Sequence, residues 1–166
     1  MLVVAVPRPV FAALRDDTSE SADDRAEPVL LVVLLAGMAL ALASGAASSY
    51  HGVDLAAWLF IAGGITGAAW YWLFGAVLYG AVRALGSHGS YRRARHVLAF
   101  ACVPLALSLV VAPAGRSLFV WLWLAFVAWS AVLLVTGVRA VHAWSWPRAL
   151  AAAVAPAVAA AALVAL

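Results

Sequence analysis

Lysine is missing from this sequence, and charge of either sign is scarce: ten arginines and seven acidic residues make up 10% of 166 residues. Soluble domains typically carry about 25% charged residues, so the composition excludes an ordinary water-soluble fold. The most polar stretch, residues 15–27, is too short to build a core of its own. No soluble domain is therefore expected to carry an activity. Cysteine occurs once, which excludes an internal disulfide. Cys102 stands inside an apolar run and reads as a small buried hydrophobe. The N-terminus lacks the basic start of a signal peptide, and Pro7-Arg8-Pro9 interrupts its short apolar run.

What the chain has instead is apolar surface, 67% of its residues. Uncharged runs of about 18 or more residues read as membrane-crossing helices. The pattern predicts an all-α, polytopic membrane bundle of five transmembrane helices with a short interfacial helix before them. The spans are expected at about 28–47, 55–82, 96–112, 117–138 and 148–166. Residues 1–27 form a cytoplasmic N-terminal segment, with the surface helix at 9–15 and Thr18 or Ser19 capping a short turn. The second span is longer than a bilayer needs, so it must tilt, protrude or break near Gly63-Gly64. Pro104 should kink the third span. Gly37 and Gly45 on the first span, and Gly63 and Gly67 on the second, give small-residue faces for close helix packing, within the chain or between copies.

Orientation follows from the arginines. Nine of the ten fall before the first span, between the second and third, or between the fourth and fifth; only Arg116 falls on the other side. The excess of basic residues marks the cytoplasmic side. A plasma-membrane protein with its N-terminus in the cytoplasm and its C-terminus outside is expected. The net charge of +3 then argues topology and not nucleic acid.

Chemistry is sparse. Every charged residue lies in a loop or at a span end, which weighs against proton-coupled carriers and intramembrane hydrolases, since both place ionisable groups at depth. His51-x-x-Asp54 is too small a fragment for a metal site, which takes three or four ligands. Ser87 and Ser90 in Gly86-Ser87-His88-Gly89-Ser90 lack an obvious base, and the run lacks the Gly-Lys-Ser/Thr ending of a phosphate loop. Neither a catalytic residue nor a cofactor is expected. Arg92, Arg93 and Arg95 are the candidate binding residues, for anionic lipid headgroups or an acidic partner.

Gly89-Ser90-Tyr91-Arg92, followed by Val97-Leu98, Phe100 and Pro104-Leu105, resembles the signature of the Yip family, the Ypt/Rab-interacting membrane proteins. The opening 7–30 and Gly137-Val138-Arg139-Ala140-Val141-His142 with Arg148-Ala149-Leu150 resemble that family's bacterial branch. The resemblance implies a five-span bundle without known catalysis and with membrane-protein partners. This chain lacks the longer cytoplasmic region and the Asp-Leu-Tyr/Trp-Gly-Pro type segment of the eukaryotic members, so Rab binding does not carry over.

Two functions from different classes remain. The first is an integral membrane scaffold or adaptor that associates with lipid and with a membrane-protein partner or a second copy. The second is a lipid or small-solute transporter. Tight glycine and aromatic contacts inside the bundle favour the scaffold, whereas a polar cavity around Thr66, Ser108 or Ser130 favours transport.

Overall fold

The computed structural model describes residues 2–16, 18–44, 52–114 and 116–164. Gly45 and His51 therefore lie outside the described residues, which are helical throughout their ordered elements and contain no strand. Three short helices open the chain: α1 (Leu2–Ala5), α2 (Pro7–Ala13) and α3 (Ser19–Asp23). The long elements follow as α4 (Ala26–Ala43) and α5 (Gly52–Ala84), the broken pair α6 (Tyr91–Ala101) and α7 (Val103–Leu107), then α8 (Arg116–His142) and α9 (Trp146–Val164).

Four stretches are long and apolar enough to cross a membrane: Glu20–Ala43, Gly52–Ala84, Tyr91–Ala112 and Leu118–His142. Helix α9 is apolar over Trp146–Ala160 and is rich in alanine. Large side chains such as Phe60, Ile61, Ile65, Trp121, Leu124 and Val132 point outward. That is costly in water but suits hydrocarbon, which is as apolar as they are.

The helices break where their backbone chemistry requires it. Proline 104 has no amide hydrogen and cannot continue the ladder. The third span accordingly divides at Cys102, whose amide still reaches the Leu98 and Ala99 carbonyls at 3.1 and 3.0 Å. A 3-10 segment, Ser108–Ala114, completes it. Helix α5, by contrast, runs unbroken through Gly63-Gly64 for 33 residues. At about 1.5 Å per residue it is about 50 Å long, so it accommodates the bilayer by tilting or protruding and not by breaking. Proline 156 likewise leaves α9 continuous.

Glycine explains why α4 and α5 hold so closely. A Cβ on Gly37 would fall 2.7 Å from the Gly67 nitrogen, and one on Gly63 would fall 2.7 Å from the Met38 Cα. No other residue lets these backbones approach so far. The glycine faces of the first two spans thus meet each other inside one chain.

The main apolar core lies toward the other end of α5. Leu78 and Val82 pack there with Val97, Leu133, Val138 and Ala152. Phe11 of α2 is fully buried in it, its ring against Gly137 of α8, where a Cβ would sit 2.8 Å from Phe11 Cε1. Helix α2 forms as its Pro7 and Pro9 allow, and its apolar face turns onto α8.

Candidate functional site: the arginine end of the bundle

Arginines 92, 93 and 95 sit in the first turns of a helix and not in a loop. The Ser90 side chain accepts the Arg93 amide at 3.0 Å and caps α6. The third span therefore begins at Tyr91, about five residues before the start expected from hydropathy. Sequence spacing missed this cap because no acidic residue stands three positions on, where Arg93 is found.

The preceding turn is equally defined. Gly86 adopts φ +84°, its amide donates to the Arg83 carbonyl at 2.9 Å, and the Ser87 amide donates to Val82 at 2.9 Å. These are the two bonds of a helix-ending turn that requires the left-handed conformation. At the end of α8 the same geometry falls on Ala143, φ +53°, with Trp144 donating to Arg139 at 3.3 Å.

Most of the arginines at this end are engaged with the protein itself. Arg15 donates from Nε and Nη2 to the Ala140 carbonyl at 3.0 and 2.6 Å. Arg93 donates to the Arg15 carbonyl at 2.7 Å, and Arg25 donates to the Asp16 carbonyl at 2.8 Å. Arg148 reaches the Leu85 carbonyl and stacks on Trp144, 4.3 Å from the ring centre. Arg139 lies 4.4 Å over Trp146. The carbonyls at helix C-termini have no intrahelical partner and carry partial negative charge, so a cation there satisfies both needs. With acidic residues confined to 16–27 and Asp54, helix ends and aromatic rings take the place of carboxylates.

Arg95 is held differently from Arg93. Its guanidinium carbon lies 3.8 Å from the Trp72 ring centre, 4.7 Å from Tyr91 and 5.0 Å from Tyr71. Its Nε, like that of Arg93, is buried without a hydrogen-bond partner. Gly75 leaves room for its stem, since a Cβ there would strike Arg95 Cγ. The structure thus separates the three candidate arginines: Arg93 bonds to the α2 end, Arg95 enters an aromatic cage, and Arg92 stands beside them on the same turn.

Ser87 Oγ and His142 Nδ1 lie 3.1 Å apart, a contact between loop and α8 that spacing did not reveal. The Gly89 amide donates to the same hydroxyl at 3.0 Å. Hydroxyl and imidazole are the first two parts of a nucleophile arrangement. Ser87, however, is only 6% exposed, and the pair ties the loop to α8. Among the described residues, no three His, Cys, Asp or Glu side chains gather as a metal site.

An apolar cavity of about 350 Å³ lies between the helices, walled by residues of α4 to α9 that include Gly37, Tyr71, Leu98, Leu105, Trp123 and Ala157. Thr66, Ser108 and Ser130 are not among its walls. Ser108 is fully buried and donates to the Leu105 carbonyl at 2.6 Å.

A family model for the Yip1 domain matches residues 1–166, the whole chain. The chain belongs to the Yip1 domain family. Family membership and four long apolar helices make it a multi-pass membrane protein. The signature residues of the family resemblance fall on the Ser90 cap, the start of α6 and the Pro104 break. The Yip1 family is not known for enzymatic activity, and its members interact with other proteins. No curated protein and no solved structure matches the chain significantly.

Proposed function

We propose that this Yip1-domain protein is a non-enzymatic membrane scaffold with five spans. Its arginine end and N-terminus face the cytoplasm, its C-terminus faces outside, and the plasma membrane is its location. The observation that carries this reading is how the interior is filled. Backbone-to-backbone glycine contacts close the α4–α5 crossing, and the cavity between the helices is apolar, with none of Thr66, Ser108 and Ser130 among its walls. Transport of a polar solute needs polar groups lining a path, and the walls of this cavity are apolar. The arginine layer supports the orientation and association with anionic headgroups. Because Gly37, Gly63 and Gly67 are occupied within the chain, a partner helix would meet the outward apolar faces of α5 and α8.

Native mass spectrometry of the tagged protein, released from its own membrane in mild detergent, tests the scaffold reading. The expected result is a stoichiometric membrane-protein partner or a second copy. A lone chain at every detergent concentration, together with solute uptake by vesicles containing only this protein, would replace the scaffold with a carrier.

A further inference from the structure

Tyr71 belongs to two features at once: it lines the apolar cavity, and its ring carries the Arg95 guanidinium at 5.0 Å. Leu98, another wall residue, follows Arg95 by about one helical turn. We propose that the cavity and Arg95 form one binding site for an anionic phospholipid of the bilayer, with an acyl chain in the cavity and the phosphate on the Arg95 guanidinium. The site does not depend on the scaffold reading, since neither a partner nor a transport cycle enters into it.

Size and chemistry set the occupant. An apolar cavity of about 150 Å³ admits benzene, and ligand sites begin at about 300 Å³, so about 350 Å³ accommodates a substantial apolar group. The walls extend from Gly67 to Phe74 on α5 and from Leu98 to Leu105 on the third span, about 10 Å along each at helical rise. That shape is longer than a single ring and suits a chain. Within apolar spans the surrounding solvent is hydrocarbon, so acyl chains are the apolar molecules present at the highest concentration.

Charge selects the headgroup. Stacking on Trp72, Tyr91 and Tyr71 attracts a cation through the ring faces, but it leaves the positive charge uncompensated and the guanidinium edge able to donate to a phosphate. Arg93 has one of its donors, Nη2, on the Arg15 carbonyl, whereas it is Arg95 that stacks on the cavity wall residue Tyr71. The three aromatic rings hold Arg95 in place before any lipid arrives, which lowers the ordering cost of binding.

The test uses the full chain in mild detergent, titrated with phosphatidylglycerol or phosphatidylcholine and read by native mass spectrometry. Wild type should retain one phosphatidylglycerol in preference to phosphatidylcholine. Retention should fall about fivefold in Arg95→Gln, the equivalent of one basic contact at a membrane surface. Ala157→Phe, which fills the cavity from a wall residue, should reduce retention too, while Arg8→Gln should leave it unchanged. Equal retention of both lipids, or equal loss in Arg8→Gln and Arg95→Gln, would reduce the effect to general electrostatics and overturn the proposal. Wild-type protein photolabelled with a lysophosphatidylglycerol carrying a diazirine near its chain terminus gives a second reading that needs no variant. Labels on cavity walls such as Leu105 or Ala160 support the site. Labels confined to outward residues such as Ile65 and Trp121 refute it.

Discussion

Phe11→Ala is the sharpest perturbation of the N-terminal segment. Phe11 is 0% exposed, and its ring occupies the space that Gly137 leaves open on α8. Truncating a buried phenylalanine costs about 3–5 kcal/mol in lost transfer energy and cavity. The loss falls on a seven-residue helix that is too short to persist alone, so α2 should leave α8 and release the bonds from Arg15 to Ala140. At 1.4 kcal/mol per decade, the undocked population should rise by about two to three and a half decades. Trypsin reads that population at Arg15 when opening and closing are fast relative to cleavage. Cleavage at Arg15 should accelerate accordingly in Phe11→Ala; Arg8, followed by Pro9, offers no competing trypsin site. Gly137→Leu should produce the same phenotype by filling the socket from the opposite side. In the double variant, the leucine should recover part of the loss, because neighbouring sites are not additive. Wild-type cleavage rates in both single variants would refute the docking of α2.

Other outcomes test separate features. Ala143→Gly removes an L-residue from the left-handed conformation, which costs about 1–2 kcal/mol, and should raise the thermal midpoint in detergent by a few degrees. Gly67→Val should destabilise the fold by about 1–3 kcal/mol through overpacking, since even its Cβ would fall 3.1 Å from the Val33 carbonyl carbon. Gly64→Ala, whose Cβ meets only Leu34 Cδ1 at 3.8 Å, should be neutral or stabilising; both are read from folded yield and thermal midpoint. Asp16 accepts the Ser21 hydroxyl at 2.6 Å, and that bond, with help from Thr18, holds its carboxyl below the usual carboxylate range. The depressed value means the cap's contribution is present above the unfolded pKa of about 4 and is lost as pH falls through the folded value. Amide exchange at Ser21 should therefore show excess opening only in acid, and Asp16→Asn should abolish that acid dependence.

The long helices were legible in the sequence because uncharged apolar runs leave few alternatives. Helices α4, α5 and α8 formed where those runs lie, with ends moved by a few residues. Local backbone chemistry was legible in part: Thr18 caps α3 and Pro104 breaks the third span. The sequence offered breaking at Gly63-Gly64 as one outcome for the long second span, and the structure shows an unbroken helix, with α4 packed directly against Gly63 and Gly67. The arginine layer was hidden for another reason. Its bonds join residues 125, 78 and 63 positions apart, and their acceptors are backbone carbonyls that any residue supplies. Composition placed the arginines at one end of the bundle. Only the packing showed that Arg93 bonds to the Arg15 carbonyl and that Arg95 stacks on Tyr71, a wall residue of the apolar cavity.

The orientation with five crossings underlies the scaffold reading and rests on α9, which would be the fifth crossing beside the four long apolar stretches. Single cysteines in a Cys102→Ala background test it directly, with Glu20→Cys for the N-terminal side and a cysteine added after Leu166 for the C-terminal side. A membrane-impermeant maleimide applied to intact cells should label the C-terminal cysteine, and should reach Glu20→Cys only after the membrane is opened. Equal accessibility of the two positions would mean an even number of crossings, leaving α9 on the arginine side and contradicting the account.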